Sequence, residues 1–188
     1  STGIIGAWDA NFVQGGGIFG AYSSGKAIAC YSTGTILLQS GGIFGYKSSG
    51  TATNCYSTGT IESWGGGIFA YESTGTATNC YSTGNMTDVA GGIFGYKCSG
   101  TADNCFSTGH IGNGSTIGST NGGGGIFGTE STGKAKNCYS TGIILGDGKG
   151  IFGTLSIPAL DSNNYHAPSG WKDASANTCL TGDISENS

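Results

Sequence analysis

At 188 residues the chain has the size of one domain, but 39 residues are glycine, only 10% are charged, and the net charge is −4. A low-complexity tract would scatter those glycines; here they recur in register, which argues for an ordered repeat. The seven basic residues are all lysine, so the arginine-bearing basic stripe that nucleic acid requires is missing, and no apolar run approaches the roughly 18 to 20 residues that would insert in a bilayer.

The chain opens at Ser1 within a repeat, as expected of a processed product or an excised fragment that has lost any targeting signal. The first connection, Ile4–Gly17, is expanded and carries Trp8, Asp9 and Phe12. From there a unit of 25 residues recurs: Ile43-Phe44, Ile68-Phe69 and Ile93-Phe94 are 25 apart, as are Cys30, Cys55, Cys80 and Cys105. A constant period of this length means one supersecondary unit stacked on itself, each copy burying an apolar face that it could not bury alone.

Residues 32–56 show the unit in full. Thr35–Leu38, Ile43–Tyr46 and Thr51–Tyr56 are rich in β-branched and aromatic residues and are separated by glycine-containing corners, the pattern of short strands between turns. Helix is disfavoured, because each interior glycine costs about 1 kcal/mol relative to alanine and no 3.6-residue stripe is sustained. The expected fold is therefore all-β, a parallel β-helix (β-solenoid) with three short strands per rung over residues 1–155. Right-handed coiling is expected from the usual hand of parallel crossovers.

Two glycine rows, Gly34/Gly59/Gly84/Gly109/Gly142 and Gly25/Gly50/Gly75/Gly100/Gly133, are expected at turns that use positive φ. Cys30, Cys55, Cys80, Cys105 and Cys138 share one repeat position, with Cys179 a degenerate echo. Stacked side chains point the same way at a spacing of about 4.8 Å, so a row of buried thiols fits better than disulfides. Cys98 stands off that row and is expected to be an exposed thiol. Asn54, Asn79, Asn104 and Asn137 precede cysteine; they either pass amide hydrogen bonds between rungs, satisfying buried turn groups, or lie solvated at turns. Lys47, Glu72, Lys97 and Glu130 follow one another up one edge with alternating sign, which suits the proposed register.

Adjacent residues of a strand face opposite sides, so Ile and Phe of the G-I-F-G motif cannot both enter the core unless the backbone bends between them. Either the flanking glycines kink the strand, or a row such as Phe19, Phe44, Phe69, Phe94, Phe127 and Phe152 lies outside as an assembly surface. With the kink, Tyr31, Tyr56, Tyr81 and Tyr139 become the outward aromatic row. A second expanded connection, His110–Gly125, leaves the same corner as the first and includes Asn113 and Asn121. With the first loop it offers candidate binding residues: Trp8, Asp9, Phe12, His110, Asn113 and Asn121. Residues 156–188 bring both prolines, Pro158 and Pro168, with Trp171, and are expected to form an irregular C-terminal cap of the same domain.

Gly-Ile-Phe-Gly at 17–20, 42–45, 92–95, 125–128 and 150–153, Gly-Ile-Phe-Ala at 67–70, and the S-G-T-A-T-N-C-Y-S-T-G stretch resemble the GLUG-type repeats of bacterial surface proteins, including adhesin-like haemagglutinins and IgA-peptidase-like exoproteins. The cysteine-bearing units also resemble repeats of large-virus proteins. The resemblance spans about residues 1–153. It implies a β-solenoid used as a stalk or display module, with chemistry in other domains, and it transfers no catalytic residue.

The expected function is accordingly a non-enzymatic structural or adhesive module: a surface fibre, spike or filament subunit contacting glycans or proteins, or assembling with itself. Its expected place is extracellular, on a cell or virion surface. No cofactor and no metal site is expected, since no ligand spacing appears. Two other classes compete. The Thr51-Ala52-Thr53 and Thr76-Ala77-Thr78 steps resemble the threonine arrays of ice-binding solenoids, with a mineral surface as a variant. A polysaccharide lyase or hydrolase would need clustered carboxylates, but Glu62, Glu72, Asp88 and Asp103 fall at different repeat positions.

Overall fold

A computed structural model describes residues 1–6, 14–112, 122–145, 148–158, 164–166 and 180–181. The strands are short: β1 (Lys26–Ile28), β2 (Tyr31–Ser32), β3 (Thr51–Thr53), β4 (Tyr56–Ser57), β5 (Thr76–Thr78), β6 (Tyr81–Ser82), β7 (Thr101–Asp103), β8 (Phe106–Ser107), β9 (Lys134–Lys136), β10 (Tyr139–Ser140), β11 (Tyr165–His166) and β12 (Leu180–Thr181). They form two sheets. One runs β1-β3-β5-β7-β9; the other runs β12-β11-β10-β8-β6-β4-β2. From β1 to β11 every strand pair is parallel and in repeat register, as in Ala52↔Ala77 and Tyr56↔Tyr81. The fold is a parallel β-solenoid.

Each expected strand segment carries ladder pairing. The Thr35–Leu38 and Ile43–Tyr46 segments pair through single residues, Ile36↔Ile61 and Phe44↔Phe69, with a further line at Gly41↔Gly66. The Thr51–Tyr56 segment is divided into β3 and β4 by Asn54, whose φ is 54°. Asparagine is among the few residues that occupy the left-handed region readily, which explains its recurrence at 79, 104 and 137, with φ of 51° to 54°.

The Ile and Phe of each G-I-F-G motif are both inside. Ile43, Phe44, Ile68, Phe69, Ile93 and Phe94 are fully buried. The bend that permits this is visible in the hydrogen bonding, because the amides of Ile43 and Phe44 both donate to the carbonyl of Ile68, at 3.2 and 2.8 Å. The same pair of bonds recurs at Ile68/Phe69 onto Ile93 and at Ile93/Phe94 onto Ile126. The six phenylalanine rings, Phe19 to Phe152, stack with centroids 4.7 to 4.9 Å apart and planes within 8°. They form one core with the isoleucines, the Ala27/Ala52/Ala77/Ala102/Ala135 row and the cysteines. Ile36, Ile61, Met86 and Ile111 make a second, smaller core. Burying each phenylalanine is worth about 1.5 to 3 kcal/mol.

The glycine rows do not serve positive φ. Among the described glycines only Gly6 and Gly112 adopt it. A Cβ on Gly59 would instead lie 2.0 Å from the carbonyl oxygen of Gly34, and one on Gly75 would lie 2.4 Å from the Phe69 ring. The rungs touch backbone to backbone at both corners, since a Cβ on Gly75 would also stand 2.5 Å from Gly50 O of the preceding rung, and at the second corner the glycine makes room for the phenylalanine ring of its own rung as well. Positive φ is carried by residues with side chains, notably Lys47, Glu72, Lys97 and Glu130 (φ 50° to 54°).

At the C-terminal end the side chain of Asn164 imitates another rung. Its Oδ1 accepts from the Cys138 amide at 3.0 Å and its Nδ2 donates to Ala135 O at 2.8 Å. β11 then pairs parallel to β10 and antiparallel to β12, so the parallel stacking ends there among the described residues.

Candidate functional site

The sheet that contains β2, β4, β6, β8 and β10 builds the most regular outer surface. In each strand the aromatic residue faces outward, the serine faces inward, and the following threonine faces outward again: Tyr56 and Thr58 lie outside while Ser57 is fully buried. Strand alternation makes this obligatory. In-register pairing then stacks Tyr31, Tyr56, Tyr81, Phe106 and Tyr139 with centroids 4.9 to 5.3 Å apart and planes within 10°. Beside that row runs a second of Thr33, Thr58, Thr83, Thr108 and Thr141. The result is an apolar strip bordered by hydroxyls, repeating once per rung.

At another corner lies a second aromatic group. Tyr46, Tyr71 and Tyr96 stack at 5.4 and 5.5 Å, and the Trp64 indole lies 6.0 Å from Tyr71 and 5.7 Å from Tyr96. The alternating charges form ion pairs beside these rings, Lys47 to Glu72 at 3.2 Å and Lys97 to Glu130 at 3.3 Å. The Tyr46 hydroxyl donates to Glu72 at 3.2 Å and the Tyr96 hydroxyl to Glu130, while both ammonium groups sit about 5 Å from the adjacent tyrosine ring centres. Burial opposes ionisation of Glu72, but hydrogen bonds from Tyr71, Lys47 and Tyr46 outweigh it and hold the carboxyl below its usual value. Glu130 is lowered chiefly by the Tyr96 hydroxyl. Burial, helped by Glu72, pushes the Tyr71 hydroxyl up to about 12.

Comparison with family models, with curated proteins and with solved structures matches none of them.

The cysteine row is internal. Cys55, Cys80, Cys105 and Cys138 are buried free thiols, and Cys30 is partly covered at the first rung. Their sulfurs approach backbone carbonyls, as Cys80 does Ala52 O at 3.5 Å and Thr78 O at 3.3 Å. Hydrogen bonding to neighbouring thiols, reinforced by burial, pushes Cys55 and Cys105 above the ordinary thiol range. Cys98 corrects the expectation of an exposed thiol, since it is fully buried. It occupies the place that serine holds in other rungs, at Ser48, Ser73, Ser131 and Ser156. Those serines carry an internal ladder, with Ser48 N–H donating to Ser73 Oγ and Cys98 N–H to Ser131 Oγ, both at 3.2 Å. After the left-handed Lys47, Glu72 or Lys97 the chain turns inward, and the polar serine enters because each hydroxyl finds backbone partners.

The asparagine row lies outside. Asn79 donates to Asn54 Oδ1 at 3.2 Å across exposed surface, and Asn137 donates to Asp103 Oδ1 at 3.4 Å. The amides thus link rungs at the surface, and no buried turn group depends on that contact. His110 lies between rungs: its amide donates to Asn85 Oδ1 at 3.0 Å, and its Nδ1 accepts from the Ile143 amide at 3.3 Å. Trp8, Asp9, Phe12, Asn113 and Asn121 lie outside the described residues, as do Trp171 and Cys179. The threonine steps of β3 and β5 are in register, but the same positions carry Lys26 and Ile28, Asp103, and Lys134 and Lys136 in other rungs. Asp88 accepts from the Ser63 hydroxyl at 3.1 Å, and Glu72 is paired as above.

The Trp64 cluster was the site residue reasoning missed. Tyr46, Tyr71 and Tyr96 do recur 25 apart, a signal open to inspection. Trp64 occurs in one rung only, so periodicity does not point to it.

Proposed function

We propose that the chain is a non-enzymatic adhesive and structural module, displayed outside the cell or on a virion surface as part of a fibre, spike or filament. Kinship with GLUG-type repeat proteins belongs to the same reading. Its contact surface is the stacked Tyr31, Tyr56, Tyr81, Phe106 and Tyr139 row with the threonines beside it, and the partner is a glycan or protein surface. The observation that carries this reading is the unbroken outward stacking of those five rings. Aromatic residues combine large apolar area with little side-chain entropy to lose, and a flanking hydroxyl row supplies polar contacts of both senses. A continuous apolar strip rimmed by polar residues is a common mark of an interaction surface.

The test is retention on immobilised cell-surface glycans and on cultured cells, comparing the wild-type chain with Tyr56→Ser/Tyr81→Ser/Phe106→Ser. Loss of retention by at least tenfold, with circular dichroism unchanged, supports the reading. Equal retention by the variant, or none by either protein, overturns it.

A further inference from the structure

Trp64 sits where the fold does not ask for tryptophan. Its φ is 64°, and Gln39, one repeat earlier, has φ 59° in the same place. The corner is left-handed at this position in these two rungs, and one residue earlier, at Asp88 (φ 41°), in the next; a flexible or polar side chain meets that need. For a bulky residue the left-handed region costs about 1 to 2 kcal/mol, and strain of this kind collects where a side chain has work beyond packing. The indole remains 37% exposed while resting against Tyr71 and Tyr96. Three rings therefore form one small platform, with charged groups at its edge.

The chemistry of the edge selects the ligand. Lys47 with Glu72 and Lys97 with Glu130 are paired, so these four residues beside the stacked tyrosines offer donors and acceptors while compensating one another's charge. Hydroxyl groups, which donate and accept, suit such a rim. A protein partner needs about 800 Å² on each side, far more than one exposed indole with two half-covered tyrosines provides. We propose that Trp64, Tyr71 and Tyr96 bind a neutral saccharide: the C–H face of one pyranose lies on the indole, and its hydroxyls reach toward the Glu72 carboxylate and the Lys97 ammonium, which neighbour the two tyrosines in the chain. An apolar platform with a few convergent polar groups is the usual composition of a small-ligand site. This site lies on different residues from the Tyr31 to Tyr139 row and stands whether or not that row is adhesive.

The test isolates Trp64 fluorescence in a Trp8→Phe/Trp171→Phe chain and titrates it with neutral disaccharides of glucose, galactose, mannose and N-acetylglucosamine. Polygalacturonate and chitosan serve as charged counterparts. The expected result is a saturable emission change with a neutral sugar, with Kd on the order of 1 mM, as a single-residue contact gives. It weakens at least tenfold on Tyr71→Ala. Trp64→Gln, which restores the choice made at Gln39, abolishes binding followed by calorimetry and leaves the thermal midpoint unchanged or higher. Should the double phenylalanine variant fail to fold, the Trp64 indole N–H resonance of the otherwise wild-type chain gives the same readout. A Trp64 signal that no neutral sugar perturbs, that only the charged polymers perturb, or a binding isotherm that survives Trp64→Gln, overturns the proposal.

Discussion

A Cβ atom added to Gly59 would stand 2.0 Å from the carbonyl oxygen of Gly34 in the preceding rung. The relationship is repeated by Gly84 over Gly59 and by Gly109 over Gly84, each at 1.9 Å. It explains why the Ser-Thr-Gly corner is invariant along this chain: successive rungs hydrogen-bond at the ladder spacing of about 4.8 Å, and at this corner the backbone leaves no room for a side chain between them. Backbone atoms cannot rotate aside as a flexible side chain does.

Gly59→Ala is therefore expected to destabilise the fold by about 3 kcal/mol, at the severe end of overpacking, since the rungs must part. Gly20→Ala is the control, because a Cβ there meets nothing within 4 Å, and it should be neutral or slightly stabilising. Urea denaturation of both variants decides the point. Equal loss of stability in the two would show that glycine flexibility, rather than close approach, matters.

Ala29 holds the left-handed corner (φ 52°) at which four later rungs place asparagine. Alanine is strained there by about 1 kcal/mol, whereas asparagine tolerates it. Ala29→Asn should raise unfolding stability by about 0.5 to 1 kcal/mol, with a small addition if its amide joins the Asn79 to Asn54 hydrogen bond. Asn79→Ala should lose a similar amount. A stability drop on Ala29→Asn, read from the denaturation midpoint, contradicts this account of the row.

Stacking was legible in the sequence because every ladder is made of equivalent residues 25 apart, so the period alone places Cys55 over Cys30 and Phe69 over Phe44. The charge row was legible for the same reason. What lay inside a rung was harder to read. Strand alternation says that Ile43 and Phe44 face opposite sides, and only the shared Ile68 carbonyl reveals the bend that brings both in. Standing off the cysteine row suggested that Cys98 is exposed, yet its repeat position points inward: Ser48 and Ser73 are buried there because each hydroxyl has backbone partners, and Cys98 follows them. Glycines suggested positive φ, a local property, where their true constraint is contact with the next rung. Trp64 was obscured because a residue present in one copy has no period.

Cys98 offers a measurement of its own. Burial pushes its thiol up to about 12, against roughly 8.5 for an unfolded cysteine. An acid whose folded pKa is raised binds its proton more tightly in the native state. Its contribution is complete below the unfolded value and is lost as pH rises from about 9 toward 12, by up to about 1.4 kcal/mol per pH unit. Cys98→Ser gives this rung the residue found in its neighbours and removes that dependence. Near pH 7 the variant should match or exceed the wild-type chain by about 0.5 to 1.5 kcal/mol, because an oxygen is the better acceptor for the Ser73 amide in the internal ladder. Above about pH 9 its advantage should widen, although Cys55 and Cys105, also held high, keep some alkaline loss in both proteins. Denaturation midpoints at pH 7, 9 and 10.5 measure the gap. Parallel curves for the two chains, or a variant clearly weaker at pH 7, would rule out both the raised thiol and its place in the serine ladder.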